Sequence, residues 1–203
     1  MFRSALAALV FALAASVAAA DNYDALVARA KAGEVIDFGA LRNAYAESPA
    51  YQPYGGALEE TKRAMHEAFN AQDCPKVLVS SAKVLDATFV DIEAHLLSGR
   101  CFEVAGDQAK AGLHRAVAKG LMDSILASGD GKTTKTAFIV VAIDEEYAVM
   151  SALRWRVVGQ ALIDEDGHAF DRIEVKSATS EETAVLYFQI DRPMAWLSKN
   201  LEK

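Results

Sequence analysis

The stretch "SGDGKTTKTAFIVVAI", residues 128–143, decides the fold, because the sequence changes there from a helical to a strand-like pattern. Before it, from residue 22 to about residue 128, apolar residues recur at the spacing of amphipathic helices. After Lys135, "TAFIVVAI" is rich in β-branched residues and too short for a core helix, so it predicts a buried strand. A run of helices followed by a run of strands predicts an α+β fold.

The same stretch contains Gly131-Lys132-Thr133, which resembles part of a phosphate-binding loop. Such a loop requires another glycine five residues before the Gly-Lys pair, and Leu126 occupies that position. It also requires a strand before it and a helix after it, whereas here the order is reversed. We therefore interpret the glycines as a helix stop and a turn, and the segment as a connector between two halves.

The region 21–130 contains six predicted helices with recognisable ends. Asp37 is placed to cap the second helix, Pro75 lies in the first turn of the fourth, and Gly129 closes the sixth. Residues 94–118 resemble a tetratricopeptide hairpin, with its small and large positions at Gly99, Phe102, Ala111 and Ala118. Arg115 replaces the usual aromatic residue, so this match indicates stacked helical hairpins more than a repeat array.

The region 131–203 predicts a small antiparallel sheet of about four strands and a C-terminal helix. "DEEYAVMSALRW" is ambiguous between a helix and a strand, and residues 156–190 contain three strands. Asp166-Gly167 forms the first hairpin turn, and Pro193 lies in the first turn of the closing helix. We expect this region to pack with the helices as one unit.

The N-terminus has the three parts of a secretory signal peptide. Arg3 provides a basic start, residues 5–15 are apolar, and Ala18-Ala19-Ala20 is a small-residue cleavage site. The apolar run is shorter than the ~20 residues that span a bilayer. We predict cleavage after Ala20, a periplasmic or secreted location, and no membrane span in the mature protein.

The two cysteines, Cys74 and Cys101, predict a disulfide in an exported protein. If residues 75–87 and 90–104 are consecutive antiparallel helices, the turn falls near Thr88. Both cysteines then lie at the same height on facing helices, as disulfide geometry requires. The alternative is a pair of buried thiols.

Charge and histidine spacing exclude several classes of protein. The net charge is −7 and there is no basic cluster, which argues against nucleic acid or an anionic membrane surface as a partner. The four histidines lack metal-ligand spacing, and "DEDGH" (164–168) has Val175 where a calcium loop needs a carboxylate. We predict no metal and no cofactor, and a hairpin turn at 164–168.

Asp171 is the least expected residue of the predicted sheet. Alternation in "AFDRIEVK" places it on the same face as Ile173 and Val175, where a carboxylate is costly unless it is paired. It is either a ligand or base group at the end of the sheet, or a residue that caps the hairpin or precedes the strand. The second role is the commoner one for aspartate. Similarly, the carboxylates of "DEEY" (144–147) either cap the following segment or line a pocket with Asp171.

Four segments together resemble a bacterial exported family catalogued as domain of unknown function 4919. They are "LRNAYAESPAYQPY", "SGDGKTTKTAFIVVAIDEEY", "GQALIDEDGHAFD" and "LYFQID", in that order along nearly all of the mature chain. The resemblance implies an exported protein with helices before a small sheet, and it implies no activity. The residues that carry its signature are Arg42, Tyr45, Tyr51, Tyr54, Asp130, Glu146, Tyr147, Gln160 and Asp171.

The leading functional hypothesis is a non-catalytic periplasmic module whose stacked helices bind a protein or peptide partner in the cell envelope. The alternative is an enzyme or small-molecule binder with a carboxylate and tyrosine site between helices and sheet. That site would use Asp171, Glu145, Glu146 and His114 with nearby tyrosines. A purely structural envelope protein is the third interpretation.

Overall fold

The structure is a computed structural model that describes residues 23–201, and these residues form eight α-helices and one four-stranded sheet. The predicted signal peptide, residues 1–20, lies outside the described residues. The α+β fold is confirmed. The helices are α1 Tyr23–Lys31, α2 Phe38–Glu47, α3 Glu59–Asn70, α4 Cys74–Ala87, α5 Ile92–Val104, α6 Gln108–Leu126, α7 Ile143–Ala152 and α8 Asp191–Leu201. The strands are β1 Phe138–Ile139, β2 Trp155–Glu165, β3 His168–Ser177 and β4 Thr183–Gln189.

Four aspartates set the starts of helices α2, α4, α5 and α6. Each accepts a hydrogen bond from the backbone N–H three residues later, an N-cap worth about 1 kcal/mol; they are Asp37, Asp73, Asp91 and Asp107. Short turns join these helices into neighbouring pairs. In the α5–α6 pair, the Gly99 backbone packs closely on α6, where a Cβ would lie 3.2 Å from Cγ of Arg115 and 3.4 Å from the Ala111 carbonyl oxygen.

The sheet has the order β1-β4-β3-β2, and only part of it is antiparallel. Strands β2, β3 and β4 pair antiparallel as predicted, whereas the short β1 pairs parallel with β4, so the sheet is mostly antiparallel. The strand predicted over 136–143 is also shorter than expected. Its partner β4 ends at Gln189, so regular pairing stops at Ile139 while Val140 and Val141 continue into the core.

The ambiguous segment after β1 forms helix α7, and the predicted hairpins follow it. Asp166 and Gly167 both have positive φ, 54° and 80°, so they form the expected turn between β2 and β3. A β-bulge at Val158 interrupts the pairing of β2 with β3. Pro193 lies in the first turn of α8 as predicted.

The connector between the halves is a self-bonded loop. Asp130 accepts hydrogen bonds from the Lys132 N–H and the Thr136 hydroxyl. Gly131 has a φ of 69°, and a Cβ on Gly129 would collide with the Thr136 carbonyl oxygen. The loop therefore runs from helix α6 to strand β1 and uses its glycines for backbone geometry.

Two apolar clusters hold the fold together. The larger one joins helices α1, α2, α6 and α7 to strands β1, β3 and β4, and the smaller one lies among α3, α4 and α5. Cys74 and Cys101 form the predicted disulfide beside the smaller cluster, with their Cα atoms 5.1 Å apart. A disulfide indicates an oxidising compartment. Within residues 23–201, no helix is long and apolar enough to cross a membrane.

The double substitution Cys74→Ser with Cys101→Ser is expected to lower the free energy of unfolding by about 3–4 kcal/mol. The disulfide closes a loop with a sequence separation of 27 residues, and opening it restores the entropy of the unfolded chain. Urea unfolding with and without dithiothreitol measures the effect. The reductant should destabilise the natural protein and leave the double variant unchanged; equal stability of the natural protein in both buffers would contradict the disulfide.

Candidate functional site

Two consecutive glutamates in the first turn of α7 are both buried, and they face different neighbours. Glu145 is 4% exposed and Glu146 is 0% exposed. Successive residues of an α-helix point about 100° apart, so the two carboxyl groups meet different parts of the protein. Their surroundings differ: one carboxyl group is paired with a cation, and the other lies beside a second carboxyl group.

Glu145 is paired with Arg42 in a fully bonded network. The guanidinium donates to both Glu145 oxygens at 2.7 Å, and it also donates to the Ile139 carbonyl at 2.8 Å and the Ser124 hydroxyl at 3.3 Å. Glu145 accepts a further bond from the Val141 N–H at 2.8 Å. Arg42 and Glu145, both predicted site residues, therefore hold α2, α6, β1 and α7 together.

Glu146 has no such partner. Both of its carboxyl oxygens are buried and have no hydrogen-bond partner among the described residues. Burial and the nearby Asp171 charge raise the pKa of Glu146 to about 9. Glu146 therefore keeps its proton at neutral pH.

Asp171 lies inside strand β3, which corrects the favoured interpretation that it caps the hairpin or precedes the strand. It is paired in register with Leu162 on β2 and Phe188 on β4, and it is 7% exposed. As alternation predicted, it shares its face with Ile173 and Val175, which are fully buried. The sequence pattern could not show that strand β3 begins at His168, three residues before Asp171.

Glu146 and Asp171 form a carboxyl pair, the name used for them below. Burial raises the pKa of Asp171, while the neighbouring Gln160 side chain and the protonated Glu146 carboxyl lower it. Two carboxyl groups this close do not ionise together, so the pair is expected to hold one proton near neutral pH.

Three further predicted residues surround the carboxyl pair. The Gln160 side chain is exposed on β2, and its proximity lowers the pKa of Asp171. Tyr54 and Tyr147 are 36% and 49% exposed, and burial followed by the charges of Asp171 and Glu146 raises the pKa of both phenols. The structure therefore brings together five residues predicted separately, from α7, β2, β3 and the loop before α3.

Other predicted residues lie away from the carboxyl pair and support the fold. Tyr45 is fully buried; its hydroxyl lies 3.2 Å from that of Thr88 and accepts from the Gln52 N–H. Tyr51 donates to the Val141 carbonyl at 2.6 Å and packs edge-on against Tyr45. Asp130 bonds its own loop, as described above. These tyrosines fix the loop that carries Tyr54.

His114 belongs to a separate histidine pair on α5 and α6. Its Nδ1 lies 2.9 Å from Nδ1 of His95, and both rings line a cavity of about 200 Å³. His95 Nε2 faces the Phe89 carbonyl at 2.9 Å, so Nε2 donates there and His114 donates to His95. Burial lowers the pKa of both rings, that of His95 to about 3, which keeps them neutral.

The sequence did not identify a cleft of about 810 Å³ between helices α3, α5 and α7. Lys62 lies in it and bridges Asp91, at 2.7 Å, and Asp144. No local signal marks this triad, because Lys62 and Asp144 are 82 residues apart. Tyr147 also lines the cleft. Within residues 23–201, no group of three or more His, Cys, Asp or Glu side chains is arranged to hold a metal ion.

A comparison with protein families agrees with the resemblance seen in the sequence. The model described as "Domain of unknown function (DUF4919)" matches residues 21–199. The chain belongs to this family. The tetratricopeptide-like resemblance is not confirmed, and neither a curated protein nor a solved structure gave a match. Because membership of the DUF4919 family carries no activity, the function rests on the site itself.

The substitution Glu146→Gln is expected to stabilise the protein increasingly as pH rises from about 5 to 9. In the unfolded chain this carboxyl ionises near its ordinary value of 4.5, whereas the folded protein holds the proton up to about 9. The free energy of unfolding of the natural protein therefore falls by about 1.4 kcal/mol for each pH unit in this window. Glutamine does not ionise, so the Glu146→Gln variant should lack this pH dependence. Urea unfolding at several pH values measures it.

The matched control is Glu145→Gln, one position away on the same helix. It leaves the buried Arg42 without its charge partner, so it should lower the free energy of unfolding by about 3–5 kcal/mol. Parallel pH profiles for the natural protein and Glu146→Gln would contradict the account of the carboxyl pair.

Proposed function

We propose that this protein is an exported binding module whose carboxyl pair binds the cationic group, an ammonium or guanidinium, of its ligand. The observation that carries the proposal is the buried Glu146, which has two unbonded oxygens beside a second carboxyl group. The disulfide and the predicted signal peptide support export. The proposal retains the binding role predicted from the sequence. It places the binding site at the junction of α7 with the sheet and not on the surface of the stacked helices.

A cation is the group that best completes this site. It would donate to the free Glu146 oxygens, favour the ionised form of that carboxyl, and offset its repulsion with Asp171. The same helix shows the completed arrangement one residue earlier, where Arg42 donates to both oxygens of Glu145. The tyrosine rings near the pair suit a cation as well, because their faces carry negative charge.

A ligand can reach the carboxyl pair from the β2 side. Gln160, which neighbours Asp171, is exposed on β2, and Tyr147, the residue after Glu146 on α7, is half-exposed. The pair therefore lies one side chain below the surface. Displacement of Gln160 would leave Asp171 and Glu146 free to bond the ligand.

Binding of n-butylammonium, with n-butanol as its uncharged match, tests this function. The amine should cause saturable ¹H–¹⁵N shifts at Glu146, Tyr147, Gln160 and Asp171, and the alcohol should not. Because the cation competes with the Glu146 proton, its apparent Kd should fall about tenfold per pH unit between pH 6 and 8.

Two variants separate the carboxyl pair from the neighbouring cleft. Asp171→Asn should abolish the amine shifts, whereas Glu93→Gln, in the cleft between α3, α5 and α7, should leave them unchanged. The proposal fails if the amine and the alcohol give the same response, or if only Glu93→Gln weakens binding.

A further inference from the structure

Strand β2 is a long edge strand next to the carboxyl pair. Within residues 23–201 it pairs on one side with β3 and has no strand on the other side. It spans Trp155–Glu165, and eight of these eleven residues are exposed. Edge strands of this length are usually covered or shielded, because their free N–H and C=O groups accept another strand.

Three large apolar residues of β2 are exposed, one of them next to the carboxyl pair. Leu162 lies directly opposite Asp171 in the register, and it is 58% exposed. Val157, opposite Val175 on the same face, is 39% exposed, and Val158 at the bulge is 61% exposed. The free edge therefore combines unpaired backbone, an apolar surface and two buried carboxyl groups.

We infer that the ligand is an extended basic peptide, which adds to the free edge of β2 as a strand and directs a lysine or arginine side chain to the carboxyl pair. This inference rests on the proposed function and names its ligand class. Backbone hydrogen bonds to β2 provide general affinity, and the basic side chain provides the selectivity.

The distances of a β-sheet allow this contact. Strands lie about 4.8 Å apart, so a peptide added to β2 lies about 10 Å from the β3 backbone that carries Asp171. An extended lysine side chain reaches ~6 Å from its Cα and an aspartate carboxylate ~3 Å, so the two groups meet when both side chains lean across β2 instead of standing perpendicular to the sheet. A hydrogen bond closes the remaining gap. The lysine stem would cross Leu162, which offers an apolar contact for its methylene groups.

A second copy of this chain fits the edge less well than a basic peptide. The residues of β2 that face the same side as Asp171 are Trp155, Val157, Gln160, Leu162 and Asp164. None of them is basic, so a second β2 strand brings no cation to the carboxyl pair. The edge also ends in the acidic Asp164 and Glu165, which complements a basic partner.

Hydrogen–deuterium exchange of the full-length protein with a synthetic peptide tests the inference. The probe is the acetylated, amidated peptide Thr-Val-Thr-Lys-Thr-Val-Thr, whose Val and Lys side chains share one face; its match has norleucine in place of lysine. The lysine peptide should protect β2 amides and bind at least tenfold more tightly than the norleucine peptide. Leu162→Lys, which supplies the ammonium group from β2 itself, should block this protection, and Leu162→Met should retain it.

Three results would overturn the inference: unchanged exchange in β2, equal binding of both peptides, or β2 protection that depends on protein concentration without peptide. The last result would assign the edge to a second copy of the chain. If n-butylammonium binds while the peptide does not protect β2, the peptide inference fails and the proposed function stands. If n-butylammonium does not bind either, the proposed function fails with it.

Discussion

The buried ion pair between Arg42 and Glu145 is the contact on which the arrangement of this protein depends. One guanidinium bonds the carboxylate of α7, the backbone of β1 and the hydroxyl of Ser124 on α6. Glu145 is directed towards Arg42 of α2. Glu146, the next residue of α7, therefore points in another direction, towards Asp171 of the sheet. The position of the carboxyl pair is thus a consequence of a bond made by its neighbour.

The two glutamates show how surroundings decide the chemistry of one residue type. Glu145 has three donor contacts and a permanent cation, whereas Glu146 has a second carboxyl group and no donor in the described part of the chain. A buried acid without a partner destabilises a fold when it ionises. A fold that only needed packing would place an apolar side chain at residue 146, and this is the reason for proposing a ligand site there.

Local patterns were sufficient for much of the fold. Capping aspartates such as Asp37, the Asp166-Gly167 turn and the cysteine placement all depend on nearby residues, and the structure agrees with them. Alternation also placed Asp171 on the buried face. The Arg42–Glu145 bond joins residues 103 apart, and no local pattern encodes it. For the same reason the sequence could not distinguish the structural role of Glu145 from the different role of Glu146, nor show that β1 pairs parallel with β4.

The most direct test is the ionisation of Glu146 itself, followed by ¹³C NMR of its side-chain carboxyl carbon in the ligand-free protein. Loss of the signal in Glu146→Gln assigns the resonance. The account predicts a titration midpoint near 9, because burial and Asp171 hold the proton on this carboxyl. A midpoint near the ordinary glutamate value of 4.5 would show that Glu146 is ionised at neutral pH, and it would contradict the carboxyl pair.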